Sequence, residues 1–189
     1  MLQWNATGDY DDLGGVSVLQ AYVQDALGLI PREHRRQLDA IRVLDTDPKG
    51  IALGVYQQRG PSVWIELYLV PHMEDAAHAP PSARVWALRL SLAHTLFHEI
   101  GHHVTLHLNR RSEPSRKKNR VQQTLEKWAE EYVARRLQAL VDAWLAPGGP
   151  ASAPDARESL MAALHFYHKI GRIRLRAEPG TKRAASPSP

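Results

Sequence analysis

Apolar residues recur at helical spacing in several stretches of the chain. The first stretch, Gly15 to Ile30, is followed by Pro31, which ends a helix. A charged stretch after it, Arg32 to Ala40, is also predicted to be helical. Three longer stretches follow in the second half of the chain: Ser82 to Leu108, Val121 to Leu145 and Arg157 to Ile173. The pattern therefore predicts a protein with long helices in its second half.

Between these helical stretches lie three strand-like segments separated by turn residues. They are "IRVLD" (Ile41 to Asp45), "IALGVYQQ" (Ile51 to Gln58) and "VWIELYLV" (Val63 to Val70). In the last segment the residues at period two (Val63, Ile65, Leu67 and Leu69) share one face, and Trp64, Glu66 and Tyr68 share the other. We predict an α+β fold, with a small antiparallel sheet packed on the helices.

The breaks in the pattern indicate one domain with a C-terminal extension. A chain of 189 residues is long enough for one domain with a proper core. We assign residues 1–145 to that domain, and the Pro- and Gly-rich residues 146–155 to a linker. Residues 156–173 are predicted to form a helix that packs on the domain, and the basic tail 174–189 is predicted to be disordered.

The composition of the chain limits which partners it could bind and in which cellular compartment we expect it. The chain has no cysteine, so disulfides and thiolate metal sites are excluded. Its start lacks the pattern of a signal peptide and no apolar run is long enough to span a bilayer, so we expect a cytoplasmic protein with no membrane partner. The net charge of +4 is concentrated in residues 109–120 and 171–189. These segments could bind nucleic acid or be solvated, and neither carries a nucleic-acid-binding motif.

Five of the ten histidines lie between Leu92 and His107, and two of them belong to an H-E-x-x-H motif. On a helix, His98 and His102 are about 40° apart on one face, where both imidazoles can bind the same metal ion. Glu99 is placed beside them to activate a metal-bound water. Zinc suits imidazole ligands best, and we expect one zinc ion per chain.

The other residues of this helix have different expected roles. His103 and His107 point toward the apolar side, so we interpret them as structural. His94 lies one turn before His98 and could line the cleft, contact a ligand or lie on the surface. Gly101 is costly within a helix, by about 1 kcal/mol, and would allow a backbone or a substrate to approach closely.

A catalytic zinc site needs a third protein ligand. Thr105 and Leu108 occupy the positions where one known extension of the motif requires glycine and histidine. The next helix offers Glu126, which falls within its apolar stripe, and Glu130 one turn further on. We predict Glu126 as the third ligand and Glu130 as a hydrogen-bonding partner of a ligand histidine. The alternative is that Glu126 and Glu130 form ion pairs with Arg or Lys. Glu131 lies on another face of the helix and is expected to be solvated.

Together, "HEIGH" and "EKWAEEYVA" resemble the gluzincin metallopeptidases, most of all the ImmA/IrrE-type proteases. In that family a helix with H-E-x-x-H is followed by a helix of the form E-x-x-A-[ND]-x-[FY]-A-A. Glu126 then matches the ligand glutamate, and Ala129, Tyr132 and Ala134 match the small and aromatic positions. Glu130 replaces the usual Asn or Asp, and Val133 replaces an alanine. The resemblance covers residues 41–137 and implies a zincin-like fold.

The resemblance implies a zinc-dependent metalloendopeptidase in which His98, His102 and Glu126 bind zinc and Glu99 is the general base. Its substrate would be a protein or peptide that lies along the strand Val63 to Val70. His165, Tyr167 and His168 are candidates for stabilising the oxyanion, and none is assigned that role. Two other classes are weighed against this one: a catalytically silent zinc-binding regulatory protein, and a nucleic-acid-associated protein that uses the basic segments.

Overall fold

A computed structural model of the chain describes residues 2–50, 52–108 and 118–173, without the side chains of residues 107, 108 and 118–122. This part of the chain has an α+β fold. Its strands are β1 (Leu2–Trp4), β2 (Ala40–Leu44), β3 (Gly54–Arg59) and β4 (Ser62–Tyr68). Its α-helices are α1 (Val16–Gly28), α2 (Leu69–Ala77), α3 (Arg84–His103), α4 (Lys118–Leu145) and α5 (Pro154–Lys169).

The four strands form one mixed sheet in the order β1-β2-β4-β3. β2 lies parallel to both β1 and β4, and only β3 is antiparallel to its neighbour. The predicted antiparallel sheet is therefore wrong. The prediction omitted β1, which has only three residues and so shows no periodicity. With β1 in place, α1 connects two parallel strands, which need such a crossover.

The position of β4 also differs from the prediction. β4 lies between β2 and β3, so its backbone groups are used by both neighbours and it is not an edge against which a peptide could lie. β3 is the edge strand on this side of the sheet. The prediction that Val63–Val70 offers an open edge is therefore wrong.

The two faces of β4 are divided as the alternating pattern predicts. Val63, Ile65 and Leu67 are fully buried in the core. On the other face the carboxylate of Glu66 accepts hydrogen bonds from the Trp64 indole at 2.9 Å and from the Tyr68 hydroxyl at 2.7 Å. These bonds satisfy the polar atoms of that face.

The predicted strand runs two residues too far, because β4 ends at Tyr68 and α2 begins at Leu69. Helix α2, which contains Pro71, is absent from the elements that the sequence pattern predicts. Proline is tolerated there because the N–H groups of a helix's first turn have no acceptor within the helix. The predicted helix over Arg32 to Ala40 is reduced to a short 3₁₀ turn, Arg32–Arg35.

Helix α3 is the central helix, since α1, α2, α4 and α5 all contact it. Fifteen of its residues are buried, so it is enclosed on most sides. Its α-helical part ends at His103, and residues Val104–Leu108 continue as a π-helix. This packing holds the H-E-x-x-H motif of α3 in a fixed position.

Helix α5 begins within the predicted linker and packs against α3. Its buried residues are Leu160, Ala163, Leu164 and Tyr167. No helix in residues 2–50, 52–108 and 118–173 is long and apolar enough to cross a membrane. The predicted disordered tail and residues 109–117 of the basic insert lie outside the described residues.

Candidate metal centre

The candidate site lies between α3 and α4, which approach each other closely at Gly101. A Cβ atom on Gly101 would lie 2.8 Å from the Cα of Ala129 and 3.2 Å from its Cβ. Contacts this short with a backbone atom cannot be relieved by a side-chain rotation. The predicted close approach at Gly101 is confirmed: glycine lets the α4 backbone pack against the turn of α3 that contains the motif.

We expect Gly101→Ala to separate the two helices and weaken both stability and metal binding. Overpacking of this kind costs about 1–3 kcal/mol, partly offset by about 1 kcal/mol from the better helix propensity of alanine. The check is urea unfolding together with a zinc titration. Gly28→Ala is the control because a Cβ there meets nothing within 4 Å. A Gly101→Ala variant as stable as the parent, with the same zinc affinity, would contradict this account.

The structure brings together the three predicted ligands. Nε2 of His98 and Nε2 of His102 are 3.0 Å apart. The Oε2 atom of Glu126 lies 3.2 Å from the first and 3.7 Å from the second. These three residues form the one group of His, Asp or Glu side chains able to hold a metal ion that is found in the described residues.

The three donor atoms fit a zinc ion in both size and chemistry. Zinc binds imidazole nitrogen and carboxylate oxygen at about 2.0–2.2 Å, so adjacent ligands of a tetrahedron are about 3.3 Å apart. The observed separations of 3.0, 3.2 and 3.7 Å bracket that value. A set of two imidazoles and one carboxylate also leaves the fourth position for a water, as in catalytic sites.

Glu126 is more exposed than its place in the apolar stripe predicts. A carboxylate within such a stripe would need a partner. The Glu126 side chain is 46% exposed, so it lies at the margin of the stripe and burial alone does not require a metal. The distances to His98 and His102 are what identify it. The ion pairs of Glu126 among the described side chains are with these histidines, not with Arg or Lys.

Glu130 contacts the side of the His98 ring that faces away from His102 and Glu126, as predicted. Its Oε1 atom lies 3.2 Å from Nδ1 of His98, whose Nε2 faces the cluster. Burial disfavours the charged imidazole of His98. The nearby carboxylate of Glu130 and the charges of Glu99 and Glu126 outweigh burial and raise the pKa of His98. Such a carboxylate orients the ring and increases its basicity as a ligand.

Glu99 is buried, with 8% exposed, and is fixed by the edge strand. Its Oε2 atom accepts the backbone N–H of Tyr56 in β3 at 2.7 Å. Burial raises the pKa of its carboxyl, an effect opposed by His98 and by the Tyr56 bond. A raised pKa makes this carboxylate a better proton acceptor near neutral pH.

His94 lines a cavity between α3 and α4. Lining the cleft is one of the three roles that the sequence leaves open for it. Its ring stacks on that of His98 at 6.4 Å between centroids, with 13° between the planes. Burial lowers the pKa of His94, and burial together with His98 lowers that of His102. Both rings are therefore biased toward the neutral form, which is the form that donates a lone pair to a metal.

His103 has the structural role that the helical wheel predicts. It is fully buried, its Nε2 bonds the carbonyl of Arg36 at 2.9 Å, and its ring contacts that of Tyr56. It therefore holds the segment before β2 against α3. The side chain of His107 lies outside the described residues.

The three candidates for the oxyanion differ in their surroundings. Tyr167 is buried and its hydroxyl donates to Asp75 at 2.8 Å, so it has a structural bond. His165 and His168 are exposed on α5.

Sequence reasoning missed Tyr56, which acts through its backbone N–H. A backbone contact leaves no mark in residue type, so only the strand order could have indicated it.

Comparison with models of protein families, with curated proteins and with solved structures finds no match to this chain. The resemblance to the gluzincins therefore depends on the residues of α3 and α4 alone.

Proposed function

We propose that this protein is a zinc-dependent metallopeptidase that hydrolyses peptide bonds. The observation that supports it best is the position of Glu99. Its carboxylate is buried beside the two histidines and one glutamate that can hold zinc, and it is fixed by Tyr56 on the edge strand. A site that only stabilised the fold would need no such carboxylate next to its ligands.

The residues of the site have separate tasks in the proposed reaction. His98, His102 and Glu126 would hold zinc, which supplies Lewis acidity and lowers the pKa of a bound water to about 7. Glu99 takes the proton of the attacking water on Oε1 and passes it to the leaving amine. The bond from Tyr56 to Oε2 keeps the carboxylate oriented during both transfers. Glu130 holds the ring of His98 in place.

Strand β3 is the natural binding edge for an extended peptide. Tyr68 N–H donates to Leu53 at 2.9 Å, and bonding alternates along an antiparallel pair. Residues 55, 57 and 59 therefore bond β4, whereas Gly54, Tyr56 and Gln58 direct their backbone groups outward. A peptide added at this edge would pass Glu99, because the N–H of Tyr56 already reaches that carboxylate.

Metal analysis and a cleavage assay on the purified chain test the proposal together. We expect about one zinc per chain, and cleavage of some members of a mixed peptide library read by mass spectrometry. Chelation should abolish cleavage and added zinc should restore it. A fully zinc-loaded protein that cleaves no library member would contradict the proposal and favour a zinc-binding regulatory protein.

A further inference from the structure

A cavity of about 510 Å³ lies between the end of α1, the 3₁₀ turn Arg32–Arg35 and the strands β1 and β2. Its walls are formed by Leu2, Leu27, Arg32, Arg35, Leu38 and Ile41. None of these residues belongs to the candidate metal centre. The volume falls within the range of about 300–1,000 Å³ that is typical of small-molecule sites.

The apolar part of the wall consists of aliphatic side chains. Ile41 belongs to the buried core, and Leu2, Leu27 and Leu38 pack against that core. Among the described residues that line the cavity, none has an aromatic ring on which a planar ligand would stack, and none has a hydroxyl or amide side chain. A ligand here gains affinity by burying an aliphatic chain, by about fourfold for each CH₂ group.

Two arginines give the wall a positive charge that no ion pair neutralises in the described part of the chain. Arg32 and Arg35 take no part in the ion pairs found within residues 2–50, 52–108 and 118–173. The Nε atom of Arg35 is buried and has no hydrogen-bond acceptor among these residues. A guanidinium carries its donors in a planar fork that fits a carboxylate. The charge of the wall therefore favours an anionic head group.

The turn after Arg35 fixes the position of Leu38 in the wall. The N–H of Leu38 donates to the carbonyl of Arg35 at 3.3 Å. Between them Gln37 has a φ of 65°, the one positive φ outside glycine in the described residues. Such a conformation persists only where the surrounding structure holds it. Here the carbonyl of Arg36 bonds Nε2 of His103 on α3 at 2.9 Å, so the turn is anchored to the central helix.

We infer that this cavity binds a free medium-chain fatty acid. Arg32 and Arg35 bind its carboxylate, and the aliphatic chain lies against Leu2, Leu27, Leu38 and Ile41. The cationic and the aliphatic parts of the wall match the two parts of this ligand. A nucleotide is a poorer match, because its sugar and base would find neither polar nor aromatic partners on the wall. The site is separate from the proposed peptidase activity and does not depend on it.

The test titrates octanoate into the purified full-length chain and follows binding by isothermal titration calorimetry. Arg35→Met removes the charge but keeps an apolar stem, so octanoate affinity should fall by about 10–100-fold, the value of a hydrogen bond to a charged group. Arg36→Met is the matched control, because Arg36 is exposed in the same segment and its side chain does not line the cavity. It should leave octanoate affinity unchanged.

Analogues of the ligand test the same inference on the unaltered chain. Octanamide keeps the aliphatic chain without the charge and should bind about 10–100-fold more weakly than octanoate. Butyrate has half of the carbon chain and should bind on the order of 100-fold more weakly, at about fourfold for each CH₂ group lost. An absence of saturable octanoate binding, equal binding of octanoate and octanamide, or an unchanged affinity in Arg35→Met would overturn the inference. Tighter binding of N-acetyl-leucine than of octanoate would also overturn it, in favour of a peptide C-terminus.

Discussion

Glu126→Ala is expected to lose the zinc ion while the fold remains intact. Glu126 contributes the only carboxylate of the three-ligand group, and its Oε2 lies within 3.7 Å of both histidine nitrogens. Its side chain is half-exposed, so truncation removes a ligand without opening the core. Loss of a residue that only supports a metal ligand costs about 10–100-fold in metal affinity. Loss of Glu126 itself should reduce zinc affinity by more than that. A competition titration against a zinc-binding dye measures this.

Two neighbouring glutamates on the same helix provide comparisons for that experiment, one without an expected effect and one with an intermediate effect. Glu131→Ala removes a carboxylate that pairs with Lys127, so zinc affinity should not change. Glu130→Ala removes the partner of His98 and should reduce affinity by about 10–100-fold. If Glu130→Ala lost all zinc and Glu126→Ala kept full affinity, the assignment of the third ligand would be wrong by one helical turn.

The pairing of His98 with His102 could be predicted because it depends on helical geometry within one element. His98 and His102 share a face whatever α3 packs against, since their spacing alone sets the angle. Glu126 required a further step, the assumption that α3 and α4 are neighbours. Gly101 marks that contact in the sequence, because a glycine within a helix is costly without a close approach.

The strand order and the identity of the edge strand could not be predicted in the same way. The alternating pattern of β4 shows which of its faces is buried, but not which strands lie on either side. The sheet is mixed because β2 pairs in parallel with both β1 and β4, whereas β3 pairs antiparallel with β4. Strand pairing depends on contacts between distant segments, whereas periodicity reports only local structure.

Helix α2 shows a different kind of error, because there the local hydrophobic pattern predicts a strand where the structure has a helix. Leu69 and Val70 continue the apolar run of β4, and both residue types suit a strand. In the structure Leu69 is fully buried as the first residue of a helix. Short apolar runs fit either element, and tertiary packing decides between them.

Glu99→Gln is expected to abolish most cleavage while keeping both the zinc and the fold. The glutamine amide has nearly the size of the carboxylate, and its oxygen can still accept the N–H of Tyr56 that Oε2 accepts. The amide cannot take a proton from water. General acid–base catalysis is typically worth about 10²–10⁴-fold, so kcat/KM for a susceptible peptide should fall by about that factor.

The comparison needs preparations matched for zinc content, since a loss of metal would imitate the loss of the base. Glu131→Gln makes the same chemical change at an exposed position of α4 and should cleave as the wild type does. Equal cleavage by wild-type protein and Glu99→Gln would contradict the mechanism, because the general base is the one role that the mechanism gives to Glu99. If Glu99→Gln lost its zinc, Glu99 would instead contribute to metal binding. Its hydrogen bond from Tyr56 would then help to hold the metal site in place.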